Sequence, residues 1–131
     1  MNTTEFDTVW RPRALAALRI VAALIFMAHG TQKHFGFPAA DFSPPTFSIF
    51  GIAGMIEIAT GLLLLLGLFT RPAALVASGT MAVAYWYAHA PQNFFPVNNG
   101  GDAAILYCFV FLYIFVAGPG AWSLDERRAE A

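Results

Sequence analysis

The chain has 131 residues, 58% of them hydrophobic and only 11% charged, with a net charge of -1 and a mean hydropathy of +0.61. That length allows one domain, and a soluble domain carries roughly a quarter of its residues as charges, so the composition excludes an ordinary water-exposed fold. The few charges form no basic stripe, which argues against nucleic acid as a partner. A single cysteine, Cys108, excludes an internal disulfide and a thiol-rich metal site within one chain.

Residues 1–13 mix Glu5 and Asp7 with Arg11 and Arg13, unlike the basic head of a cleaved signal sequence, and are expected to form an exposed N-terminal tail. A helix crosses the ~30 Å hydrocarbon core in about 20 apolar residues, and ~17 suffice with local adjustment. Four stretches approach that length: 14–29, 47–69, 73–89 and 103–117. They predict an all-α integral membrane four-helix bundle spanning residues 14–120, followed by a C-terminal cytoplasmic tail over 121–131. The connection Thr70-Arg71-Pro72 is short enough to make the second and third helices antiparallel neighbours. Pro72 fits a first helical turn, and Asp102 is expected to cap the fourth helix.

Arginines set the expected orientation. Arg11, Arg13, Arg71, Arg127 and Arg128 fall on one side, whereas the other side has only Lys33. By the positive-inside bias the arginine side, with both termini, is cytoplasmic, in a multi-pass protein of the cell (inner) membrane. Trp10, Trp86, Tyr87 and Trp122 lie at the expected interfaces. The loops 30–46 and 90–102 then face outward, carrying several of the chain's thirteen phenylalanines. These rings suit loops that dip into the interface, and they also suit a groove for a quinone ring.

Arg19 and Glu57 are the charges inside the expected spans, and each costs several kcal/mol if left alone in hydrocarbon, with ~2.5 as the low estimate for Arg. With the first helix ending near Gly30 and the second starting near Phe47, both lie ~15 Å from the outer surface, which predicts an ion pair between Arg19 and Glu57. The pair is open to two readings, a lock between helices or a role in proton, electron or ligand handling. Gly54, Glu57 and Gly61 share one small, closely packable face. At the outer ends His29, Lys33, His34, His89 and Asp102 are candidates for a shared vestibule, with Lys33 available to a headgroup phosphate, an anionic ligand or Asp102. His29 and His89 have no diagnostic ligand spacing, so the sequence argues against haem and assigns no metal.

The runs Leu18-Arg19-Ile20 and Phe26 to Gly36, the segment Glu57 to Ala74, Asn99-Gly100-Gly101-Asp102, and Gly118 to Asp125 together resemble the DoxX family over residues 12–125. The resemblance implies a small four-helix membrane protein. Some relatives are subunits of a thiosulfate:quinone oxidoreductase or a terminal-oxidase assembly, and a mycobacterial one is linked to a membrane complex handling oxidative and thiol stress. Asp102 stands where the family pattern has Glu, keeping the charge but shortening its reach. The expectation is an accessory subunit or anchor of a quinone- or thiol/sulfur-linked redox system, with quinone as the candidate cofactor and a redox protein as the candidate partner. The alternative is an autonomous oxidoreductase or a small-molecule or proton carrier using Arg19 and Glu57. No nucleotide loop, thiol pair or catalytic triad is identifiable. Homo-oligomerisation is left open, and a transporter would require it.

Overall fold

The computed structural model describes residues 2–131, and all regular structure among them is helical. Helix α1 runs unbroken over Thr3–Phe35, with one wider turn at Phe6–Trp10. Helix α2 is Ile49–Leu66, α3 is Thr70–Ala84 extended by a second wide turn over Tyr85–His89, α4 is the short Pro96–Asn99, α5 is Asp102–Ala117, and α6 is Leu124–Glu130. Helices α1 and α2 are each long and apolar enough to cross a membrane, and α5 is a shorter apolar helix.

The distribution of side chains inverts that of a soluble protein. Val21, Leu24, Ile25, Leu62, Val76, Val83, Leu106, Phe109 and Val116 are exposed, while Arg19, Glu57, Thr60, Thr70 and Ser78 are buried. Water would reject such a surface and hydrocarbon solvates it. The interior is built from small residues, Ala22 and Ala23 on α1 and Ala73, Ala74 and Ala77 on α3, around Phe26, Leu64, Phe111 and Ile114. Where hydrocarbon surrounds a protein, burial of apolar surface gives little drive, so close approach of small side chains supplies the packing. Between α3 and α5, Ser78 Oγ donates to the Cys108 carbonyl at 2.8 Å.

Helices α1 and α2 are antiparallel and closely packed. A Cβ at Gly30 would lie 3.1 Å from the Glu57 Cβ, and one at Gly61 would lie 2.9 Å from the Met27 Cβ. This register corrects the expected Arg19–Glu57 pair. The first helix does not end near Gly30 but continues to Phe35, and its partner starts at Ile49, so Glu57 faces Gly30 while Arg19 faces the far end of α2. Arg19 is fully buried. Its Nη1 donates to the carbonyls of Leu64 (2.7 Å) and Leu65 (3.0 Å), Nε to Pro119 (2.8 Å), and Nη2 to Ala121 and Trp122 (3.1 Å each).

The carbonyls at a helix C-terminus lack partners within the helix and carry its negative dipole end. In α2 Gly67, in the left-handed region at φ 64, returns its N–H to Leu64, and the Leu68 N–H returns to Leu63, the paired bonds of a Schellman ending. Arg19 then takes Leu65. At the end of α5, Arg71 Nη1 donates to both Phe115 and Val116 carbonyls.

The residues after α5 fold back onto this end rather than trailing away from it. The Ala121 N–H bonds the Pro12 carbonyl, and the Asp125 N–H bonds the Gly67 carbonyl. Gly67 also leaves room for Ser123, into which a Cβ would run. The Asp125 carboxylate accepts the N–H groups of Phe69 (2.9 Å) and Thr70 (2.8 Å), capping the start of α3. Of residues 1–13, expected as an exposed tail, the described ones are mostly exposed, with Val9 and Pro12 partly covered, and are helical from Thr3.

Two consequences are measurable in detergent. Arg19→Met orphans several buried carbonyls and should cost on the order of 3 kcal/mol or more, read as a large fall in thermal midpoint. Arg19→Lys should recover little, because an ammonium cannot reproduce the planar fork. Partial burial pushes the Asp125 carboxyl up, but the Thr70 and Phe69 N–H groups and the nearby Arg128 outweigh it and hold the carboxyl below its ordinary value. Its contribution is therefore complete above the unfolded value of about 4 and lost as pH falls through the lower folded one. Asp125→Asn should flatten that acid limb of the stability profile.

Candidate functional site

The last two turns of α1 carry His29, Lys33 and His34, and the first half of α2 faces them with Gly51, Gly54 and Glu57. Glycines permit the approach. A Cβ at Gly54 would lie 2.9 Å from His34 Nε2 and 3.1 Å from Lys33 Cδ. Across this seam Lys33 Nζ donates to both carboxylate oxygens of Glu57, at 2.7 Å each. The Glu57 side chain is 4% exposed and that of Lys33 23%. Glu57 lies eight residues into α2, ~12 Å below the start of that helix.

One turn further out, His34 Nε2 lies 2.7 Å from the Gly51 carbonyl. A carbonyl can only accept, so Nε2 carries the proton. Ser43 Oγ donates to the Lys33 carbonyl at 2.9 Å, tying the 36–48 loop to the end of α1. Ser48 caps α2 by accepting the Gly51 N–H.

The pair borders two spaces. The first is a cavity of about 370 Å³ among the ends of α1, α2, α3 and α5 remote from Arg19, lined by His29, Lys33, Glu57, His89 and Tyr107 together with Phe26 and Met81. The His29 ring meets Tyr107 edge-on with centroids 6.1 Å apart. His89 Nδ1 donates to the Asn99 carbonyl at 3.0 Å, so Nδ1 carries a proton. The second space, also about 370 Å³, is an apolar groove between α2 and α3 with Lys33 and Glu57 in its lining. A larger opening of about 790 Å³ lies at the arginine end, between the first half of α1 and the residues after α5.

The sequence-predicted residues thus divide into three sets. His29, Lys33 and His89 share the cavity, and Glu57 joins them there. Arg19 belongs to the opposite end of the helices. Asp102 is exposed and does not cap α5, whose capping residue is Gly101 with no side-chain bond. That task passes to Asn99, which accepts the Gly101 N–H at 2.8 Å and donates to the Asn93 carbonyl and the Tyr85 hydroxyl. Lys33 goes to Glu57 rather than to Asp102. Tyr107, a cavity residue that sequence reasoning missed, lies four residues before Phe111 on the inward face of α5 and stacks on it with centroids 5.7 Å apart. Among the described residues no group of three His, Cys, Asp or Glu side chains is placed to hold a metal.

Chemically the pair offers an ammonium with a third N–H beyond the two given to Glu57, and a carboxylate held where hydrocarbon surrounds the helices. Such a pair can orient an uncharged oxygen acceptor and hold a proton beside it.

The DoxX family model matches residues 14–90. An uncharacterized protein of Haemophilus influenzae is 44% identical over 97% of both chains. An uncharacterized membrane protein of Mycobacterium tuberculosis is 31% identical over 91% of this chain and 83% of its own. An inner membrane protein of Escherichia coli is 32% identical over 97% of this chain and all of its own. No solved structure matches the chain significantly. The apolar outer surface, the polar seam inside it and these relatives agree: the chain is a membrane protein and belongs to the DoxX family.

Proposed function

We propose that the protein is a multi-pass accessory subunit or anchor of an inner-membrane redox system, quinone- or thiol/sulfur-linked, and that the cavity at Lys33 and Glu57 is where it meets a small redox carrier. The observation that carries this reading is the ion pair of part-buried Lys33 with buried Glu57 at the border of that cavity. Ionisable groups at membrane depth are expensive, so their presence beside an open space marks a functional site by default. His29, His89 and Tyr107 surround the same space, so groups able to give and take protons converge where a carrier would change its proton content. Members of the family known as redox subunits support the same reading. The alternative of a proton relay through Arg19 and Glu57 loses its footing, because the two do not meet and Arg19's donors are spent on backbone carbonyls.

In this reading α1, α2, α3 with its wide turn, and α5 all cross the bilayer, and both termini lie in the cytoplasm. The clustering of Arg11, Arg13, Arg71, Arg127 and Arg128 at one end favours that orientation. The relative described as an inner membrane protein favours the compartment. The 16 residues of α5 reach only ~24 Å, so local thinning of the bilayer or the residues flanking the helix make up the difference.

Reporter fusions test the topology: a cytoplasmic reporter should be active at either terminus, and an exported reporter active within 36–48. A reporter pattern with the 36–48 loop in the cytoplasm would reverse the orientation. For the role itself, tagged protein solubilised from its native membranes should bring down a flavin-, haem- or thiol-dependent redox enzyme in fixed ratio, and Glu57→Gln should slow carrier reduction in isolated membranes while the complex stays assembled. If deleting the gene leaves that rate unchanged and no redox enzyme is recovered, the accessory role is wrong. As a check that the pair matters beyond holding helices together, Lys33→Met with Glu57→Leu should be more stable than either single change, which strands one buried charge, yet no more active.

A further inference from the structure

The geometry points to a lateral entrance: an uncharged amphiphile with a carbonyl head reaches Lys33 and Glu57 from within the bilayer, through the groove between α2 and α3. This deepens the reading of the pair as a carrier site and rests on it. The groove is walled by Phe50, Ala53 and Ile56 on one side and Gly79, Val83 and Tyr87 on the other. Phe50 and Tyr87 meet edge-on across it, with centroids 5.9 Å apart. Thr80, which also lines it, spends its hydroxyl on the Val76 carbonyl one turn back. The polar atoms left for a ligand are those of Lys33 and Glu57 together with the Tyr87 hydroxyl, and Lys33 and Glu57 also border the central cavity, so the pair is a shared wall between lipid side and outer side.

Gly79 is the independent observation. Gly30, Gly54 and Gly61 each have a neighbour within 3.1 Å of where a Cβ would stand, so their smallness is used up by helix packing. Gly79 has nothing within 4 Å and no positive φ. In a helix interior glycine is weaker than any ordinary residue, and here neither packing nor backbone geometry compensates. What its missing side chain preserves is the width of the groove.

The occupant follows from charge and depth. Glu57 already neutralises Lys33 through both oxygens, so an anionic head such as a phosphate or a fatty-acid carboxylate would face a carboxylate of its own sign. It would also have to descend ~12 Å from the start of α2. A neutral carbonyl takes the third ammonium N–H without disturbing the pair, while its hydrocarbon tail lies between Ala53, Gly79 and Val83 and leaves toward the lipid. Quinones are the redox-active members of that class.

The test uses the full chain in phosphatidylcholine nanodiscs with decylubiquinone as probe and oleate as competitor. Wild type should bind the quinone, Gly79→Ala measurably more weakly, and Gly79→Phe roughly tenfold more weakly with an unchanged thermal midpoint, since the ring enters open space. Equal oleate should not displace the quinone. Quinone binding that survives Gly79→Phe overturns the lateral route while leaving the carrier site standing, and displacement by oleate overturns the neutral head. If wild type binds no decylubiquinone, both the route and the carrier site are wrong. Recovery or loss of a redox enzyme in pull-downs bears on the accessory role and does not enter this measurement.

Discussion

Between α1 and α2 the backbones press together at Gly30, Gly54 and Gly61, and the register of that contact governs where every other polar group can go. Slide α1 by one turn and Lys33 leaves Glu57, His34 leaves the Gly51 carbonyl, and Arg19 loses Leu64 and Leu65. The contact is a dispersion contact between small residues, each atom pair of which contributes little. Its specificity comes from the polar groups at either end, which find acceptors in one register only.

The two ends use charge differently. At the arginine end, cations meet backbone: Arg19 and Arg71 donate to carbonyls at the ends of α2 and α5, and Asp125 accepts N–H groups at the start of α3. Each of these groups completes a helix terminus that would otherwise leave orphan donors or acceptors, so this end is consumed by architecture. At the other end Lys33 meets a side chain rather than a backbone, and the cavity and the groove both reach it. The polar groups there are not all saturated by the fold, which is why the proposed carrier site lies at that end and not beneath the larger opening by the arginines.

How much of this was legible in the sequence depended on what set each feature. Composition and apolar run length identify a helical membrane protein, since hydrocarbon imposes those on any such chain. The motif segments identify the family. The Gly54-Glu57-Gly61 face was readable as a packing surface because its spacing is local to one helix. Register between helices is not local. Reading Gly30 as a stop moved the end of α1 inward by more than a turn and so brought Arg19 level with Glu57 on paper. In fact Gly30 lies mid-helix because Glu57 and Gly54 crowd it. One signal was present: Gly30 and Lys33 lie three apart on α1, as Gly54 and Glu57 do on α2, so in antiparallel helices Gly30 opposite Glu57 sets Lys33 opposite Gly54, one turn from Glu57 and within reach of a long side chain. The arginine contacts had no such signal, because their acceptors are backbone carbonyls that every residue possesses.

A lysine-glutamate pair, rather than a lone lysine or a lone carboxylate, also suits the two approaches proposed for this site. A lone charge at this depth would draw water or a counterion from the outer cavity and fill the space with polar solvent. The matched pair carries no net charge, so the groove on its lipid side can stay dry and apolar while the side facing His29, His89 and Tyr107 stays polar. In the proposed reading a wall of that kind admits an uncharged head from one side and protons from the other.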